Sequence, residues 1–167
     1  MLSLNEAMSD LIKGQKKILA VCTGNICRSP MAEGVLRALL ADIPGTEISS
    51  VGTHALIGNP ATDFAIIAAG ERGIDISRHR ARMIGEEVIR DSRIILCMEP
   101  FHVEYILEFD ISAESKTYNL AEFSDGRKRL KKIADPYGCG LREYRECFED
   151  ISVCIRNFVA SEYFSRV

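Results

Sequence analysis

Apolar and polar positions along this chain fall into two rhythms that alternate from end to end. Ile18 to Val21 is a short continuous apolar run behind two lysines, and it reads as a buried strand over Lys17 to Cys22. Ser29 to Leu40 is a run of good helix formers, and Pro44-Gly45 turns the chain into a second strand, Glu47 to Gly52. An alanine- and isoleucine-rich helix follows over Pro60 to Gly70, closed by Gly70 or Gly73. Residues 73–82 form a loop dense in cations, read as a solvated surface loop. A short helix, Gly85 to Asp91, leads to Ile94-Ile-Leu-Cys-Met98, the kind of run that suits a strand covered on both faces of a parallel sheet. Pro100 to Phe109 is helical, and Lys116 to Leu120 is a short fourth strand. From Leu141 to Tyr163 an amphipathic helix carries Tyr144, Phe148, Ile151, Ile155, Phe158 and Val159 as a packing stripe. Strands alternating with helices predict an α/β domain with a parallel sheet and right-handed crossovers.

Two stretches stand outside that rhythm. Residues 1–15 are an N-terminal extension to a domain spanning residues 16–167. In the extension Ser3 and Glu6 match a capping box, and Leu4, Met8, Leu11 and Ile12 recur at helical spacing. Arg127, Lys128, Arg129, Lys131 and Lys132 form a charge run, read as a solvated helix face that also draws anions toward the site.

At 167 residues, 47% hydrophobic and 27% charged, the chain has the size and balance of one compact domain. A net charge of −3 argues against a general nucleic-acid binder, which needs a surplus of Lys and Arg. No apolar stretch approaches the ~20 residues needed to cross a bilayer, so no membrane partner is expected. Glu6 and Asp10 near the start do not fit a signal peptide. Six cysteines without an export signal read as reduced thiols of a cytoplasmic protein. Three scattered histidines and no Cys-x2-Cys pair leave no expected metal or other cofactor.

The stretch Val21-Cys-Thr-Gly-Asn-Ile-Cys-Arg-Ser-Pro30 changes the picture from fold to chemistry. A strand, a tight loop and a helix start come in succession, so loop and helix amides converge where an anion is favoured. Thr23, Gly24, Asn25, Ile26, Cys27 and Arg28 make up this phosphate cradle, with Gly24 and Asn25 suited to the turn. Cys22 sits at its base, where the amides and the Arg28 guanidinium favour the thiolate, the reactive form. Arg28 offers a planar fork for two phosphate oxygens. Ser29 reads as an N-cap whose hydroxyl also reaches the thiolate, and Pro30 falls in the first helical turn. Cys139 likewise has an arginine six positions on, at Arg145, but no glycine-rich loop on a strand presents that pair. Ala134-Asp-Pro-Tyr-Gly138 is a turn signature that exposes Asp135 and Tyr137.

Cys-Thr-Gly-Asn-Ile-Cys-Arg-Ser-Pro near the start, Ile-Leu-Cys-Met in the middle and Asp-Pro-Tyr-Gly near the end resemble the low-molecular-weight protein tyrosine phosphatases, over about residues 16 to 167. The resemblance implies a four-stranded parallel sheet flanked by helices on both faces. It also implies Cys22 as nucleophile, Arg28 as transition-state clamp and Asp135 as general acid, then base. Asn25, Ser29, Ser50 and His79 match a hydrogen-bond network that holds the loop, His79 acting through Ser50. Tyr137 matches the aromatic wall of the pocket, with Leu56 or Ile57 facing it. Cys27 matches a neighbour that protects the oxidised nucleophile as a reversible disulfide; by its residue type it reads equally as a small loop residue facing the helix. The implied reaction is hydrolysis of phosphotyrosine in a protein substrate through a cysteinyl phosphate. The family's arginine-dephosphorylating branch carries Thr where this chain has Ile26. Two alternatives stand beside this reading. One is a thiol-dependent arsenate reductase, whose relay Cys97 supplies only incompletely. The other is a phosphate-binding module without turnover.

Overall fold

The computed structural model describes residues 16–126 and 128–165. The N-terminal extension, with the capping box and apolar spacing expected of it, and Arg127 lie outside them. Four strands form one sheet: β1 (Lys16–Cys22), β2 (Thr46–Gly52), β3 (Ile94–Cys97) and β4 (Thr117–Asn119), all parallel, in the order β2-β1-β3-β4. The helices are α1 (Arg28–Leu39), α2 (Asp63–Gly70), α3 (Glu86–Asp91), α4 (Pro100–Phe109), α5 (Leu141–Val159) and α6 (Glu162–Ser165), with 3-10 turns at Ile111–Lys116 and Leu120–Phe123.

Alternation along β1 places the helices on two faces. Ile18, Ala20 and Cys22 join the core built with α1, α2 and α5, through Met31, Leu36, Ala65, Ile151 and Phe158. Leu19 and Val21 point to the other face, where Ile89 of α3 and Ile106 of α4 cover them. Side chains of successive strand residues leave the pleat on opposite sides, so a run without polar positions demands cover on both. The fold is therefore the expected four-stranded α/β sheet with helices on both faces.

Strand order reverses between β1 and β3, since β2 lies to one side of β1 and β3 to the other. Such a switch point opens a crevice beyond the strands' carboxyl ends. The loop after Cys22 stands in that crevice.

Several element boundaries differ from the sequence reading. The Pro60 to Gly70 segment turns helical only at Asp63, because Thr62 is extended (ψ 150°) and its amide is committed to Ile26 O at 2.8 Å. The chain after Gly70 leaves through Gly73, whose φ of 76° is left-handed. The last helix stops at Val159 rather than reaching Tyr163, and the break lets α6 fold Phe164 back onto Phe158, with ring centroids 5.9 Å apart. Residues 128–132 are not a helix face. Asn119 Nδ2 bonds Lys131 O at 2.9 Å and the Ile133 amide bonds Met98 O at 2.8 Å, which draws this segment along the sheet edge instead.

Candidate active site

Five consecutive carbonyls of the loop are turned outward and satisfied from outside it. Cys22 O receives the Thr53 amide, Thr23 O that of His54, Gly24 O that of Leu56 and Ile26 O that of Thr62, while Asn25 O receives His79 Nε2 at 2.7 Å. Each peptide N–H lies trans to the preceding carbonyl. The amides of residues 23–27 therefore face the concave side, which is an anion-binding nest by construction. Asn25, not Gly24, takes the left-handed conformation, at φ 54°. Gly52 is required for close approach: a Cβ there would lie 2.4 Å from Thr23 O.

The Asn25 side chain is buried and fully used. Its Nδ2 donates to Ser29 Oγ at 2.8 Å and Ser50 Oγ at 3.0 Å, and its Oδ1 accepts the Arg82 amide at 2.8 Å. The Ser50 hydroxyl in turn donates to Glu33 Oε2 at 2.6 Å. His79 bonds the loop backbone directly, so its expected route through Ser50 is corrected. A carbonyl can only accept, so Nε2 carries the proton; burial holds His79 below the usual histidine range, in the neutral form. Ser29 is not the N-cap, which is Cys27. Its Oγ instead lies 3.0 Å from Cys22 Sγ, and the Asn25 amide reaches the same sulfur at 3.3 Å.

Arg28 is 1% exposed, an unusual degree of burial for a guanidinium. Burial favours the neutral form, but Glu99, Cys22 and Asp135 hold it cationic. Nη1 donates to Glu99 Oε1 at 2.5 Å and to Ile133 O at 3.2 Å, and Nη2 donates to Asp135 Oδ2 at 2.6 Å. Its Nε is buried with no partner among the described residues. A buried N–H without an acceptor is costly, and Arg28 lines the same cavity as the loop, so Nε is a donor suited to an anion there.

Cys22, Arg28 and Asp135 line one cavity of about 350 Å³, together with Ile26, Leu56 and Tyr137. Of the two residues considered for the wall facing Tyr137, Leu56 is the one that lines it. Cys27 is buried with its sulfur 3.3 Å from Tyr144 Oη and 3.5 Å from Thr62 Oγ1, and burial raises its pKa. Cys97 is fully buried in β3, with its pKa pushed far up by burial. Cys147 and Cys154 are buried on α5, where they pack as core thiols.

Sequence reasoning missed Glu99, His102 and His54. Glu99 ties Arg28 to Lys132 Nζ, 2.8 Å from its Oε2, and these cations hold its carboxyl below the usual range although burial opposes them. His54 lines the cavity and packs against Tyr105 in a tilted arrangement with ring centroids 5.7 Å apart. The available signal was Glu99-Pro-Phe-His102 directly after a buried strand, on the same crevice as the Cys22 loop.

A sulfur nucleophile under an anion-shaped ring of N–H groups, with a carboxyl group across the opening, defines a thiol-based phosphoryl-transfer centre. The model of the low molecular weight phosphotyrosine protein phosphatases matches residues 17–163, and the chain belongs to that family. It is 35% identical over 140 residues to the probable low molecular weight protein-tyrosine-phosphatase AmsI of Erwinia amylovora, covering 84% of this chain and 90% of that one. The crystal structure of AmsI superimposes with a TM-score of 0.79 at 32% identity, over 87% of this chain and 92% of that one. The phosphatase Etp of Escherichia coli K12 is 34% identical over 134 residues, 80% of this chain and 83% of its own. The protein-arginine-phosphatase of Geobacillus stearothermophilus is 35% identical over 139 residues, 83% of this chain and 90% of its own. The structure of the Geobacillus YwlE arginine phosphatase has a TM-score of 0.79 at 32% identity, over 90% of this chain and 95% of that one.

Proposed function

We propose that this chain hydrolyses phosphotyrosine in protein substrates, with Cys22 as nucleophile, Arg28 as clamp and Asp135 as general acid and then base. The convergence of these three side chains on a cavity where Arg28 Nε is left without a partner carries this reading. A phosphoryl dianion entering the cradle accepts bonds from the inward amides and from Arg28, with phosphorus in line with Cys22 Sγ. The S–P bond forms as the bond to the phenol oxygen breaks, and Asp135 gives that oxygen a proton. A phenol pKa near ~10 makes unassisted departure slow, and general acid help is worth ~10²- to 10⁴-fold. The Asp135 carboxylate then takes a proton from water, which attacks phosphorus and returns the Cys22 thiolate. Asn25, Ser29, Ser50 and His79 keep the loop in shape throughout.

Ile26, Leu56 and Tyr137 make an apolar slot that suits an aryl group rather than a guanidinium. This favours phosphotyrosine over the phosphoarginine substrate of the Geobacillus relative, whose branch carries Thr at the place of Ile26. Burial of Cys97 gives no support to an arsenate-reducing thiol relay. Cys27 shields the nucleophile: once peroxide has oxidised Cys22 to a sulfenic acid, the Cys27 thiol condenses with it, releasing water and forming a reducible disulfide. No helix of the described residues is long and apolar enough to cross a membrane. Together with free cysteines at all six positions, that fits a cytoplasmic enzyme. Release of phenol from an aryl phosphate is the test. Cys22→Ser should abolish it, and a Cys22→Ser variant that still turns over would overturn the assignment.

A further inference from the structure

The first turn of α4 meets the start of the phosphate loop through His102, a fully buried residue with both ring nitrogens engaged. The Glu99 amide points at its Nδ1 at 3.1 Å. An amide only donates, so Nδ1 must accept and the neutral ring carries its proton on Nε2. Nε2 lies 3.0 Å from Thr23 Oγ1, so the imidazole donates and the hydroxyl accepts. Burial, and then Arg28, push the His102 pKa down to about 4, so this tautomer persists at neutral pH; Glu99 and His54 are the other ionisable groups facing the ring.

A hydroxyl that accepts from one side must aim its own proton elsewhere. Thr23 lines the cavity beside Cys22 and Arg28. Among the described residues its hydroxyl has no partner other than His102. Its proton is thus left for whatever fills the cavity. The same helix turn also fixes the far end of the loop, because Glu99 holds Arg28.

We propose that His102 is a positioning residue for the reaction: it turns the Thr23 hydroxyl into an additional hydrogen-bond donor to an oxygen of the bound phosphoryl group. This rests on reading the cavity as the phosphate site. It adds to the backbone cradle a side-chain donor that the loop motif alone does not reveal.

The test is competitive inhibition by inorganic phosphate, read with kcat/KM on an aryl phosphate and the thermal midpoint. Thr23→Val removes the hydroxyl at nearly constant shape, and Thr23→Ser restores it. His102→Asn keeps an acceptor at the place of Nδ1 and removes the Nε2 donor. A bond to a charged acceptor predicts that Thr23→Val weakens phosphate binding about tenfold or more, and that Thr23→Ser stays within about twofold of wild type. His102→Asn should share the loss, and the double variant should lose no more than Thr23→Val alone. Wild-type phosphate inhibition in Thr23→Val overturns the proposal. So does a His102→Asn loss that persists in full in the Thr23→Val background, which marks scaffolding rather than positioning. If His102→Asn does not fold, the Thr23→Val and Thr23→Ser comparison decides alone. Failure of the cavity reading is separate, since it appears as turnover surviving in Cys22→Ser.

Discussion

Asp135→Asn should move binding and turnover in opposite directions. In the free enzyme Asp135 Oδ2 sits 2.6 Å from Arg28 Nη2, so the carboxylate occupies the donor that the phosphate needs. At ~4 Å between charge centres and an effective dielectric of ~20, such a pair is worth about 4 kcal/mol. The Asp135 side chain is 44% exposed, however, and solvent screening brings exposed pairs to about 1 kcal/mol or less. Arg28 is buried, so a net value near the top of that range applies. Removing the competing charge should therefore tighten inhibition by inorganic phosphate about threefold to fivefold, since ~1.4 kcal/mol is tenfold. Turnover of a phenyl ester should meanwhile fall ~10²- to 10⁴-fold for want of the proton donor. The fall should shrink for esters whose leaving group needs no proton. The assay is steady-state kinetics on two aryl phosphates of different leaving-group acidity, with phosphate as inhibitor. Looser phosphate binding in Asp135→Asn, or an equal loss of rate on both esters, would refute the reasoning.

Three further outcomes follow from particular contacts. Gly52→Ala should destabilise the fold by about 1–3 kcal/mol and depress activity, because its Cβ meets the backbone oxygen of Thr23 at 2.4 Å; urea unfolding with phenol release checks both. Glu99→Ala, which leaves a buried guanidinium with one half-exposed carboxylate and the carbonyl of Ile133, should cost about 3 kcal/mol or more by the same unfolding measurement. His102 has its folded pKa lowered to about 4 against about 6.5 unfolded, so the unfolded chain binds the extra proton between those values. Stability from this group is complete above about pH 6.5 and is lost as pH falls toward 4, with about 2 kcal/mol gone by pH 5. His79, lowered in the same sense, adds to the slope. Denaturant melts at pH 7 and pH 5 that coincide would contradict this.

The loop was legible because its chemistry is local: nucleophile, turn residue and clamp lie within seven positions, and strand and helix signals flank them. The buried strands were legible for a similar reason, since a run such as Ile94 to Cys97 has no polar face to offer. What escaped the sequence reading is held by distant partners. Ser29 reads as a cap, but Cys27 takes that place, and of the two expected roles only the contact with the Cys22 sulfur, 3.0 Å away, remains. His79 lies in a stretch of cations that reads as solvated; the resemblance places it in the loop network through Ser50, and the fold shows it bonded to the outward carbonyl of Asn25 instead. The basic segment near residue 130 has the composition of a helix face. Its backbone groups instead find partners at Met98, just past β3, and at Asn119 of β4, and tertiary bonding overrides local preference.

The two carboxylates on Arg28 divide the work by exposure. Glu99 is 11% exposed, lies between two cations and sits at the start of a helix that packs on the sheet, so it can only hold. Asp135 is 44% exposed on a turn and shares only Nη2, so it is the partner that phosphate can displace. In the proposed reaction, displacement frees Asp135 to protonate the ester oxygen, while Glu99 holds the guanidinium plane. On the proposed reaction a single buried cation is both the structural anchor of the loop and its substrate clamp. The arrangement requires two acids of unequal exposure, one just past the end of β3 and one more than thirty residues later.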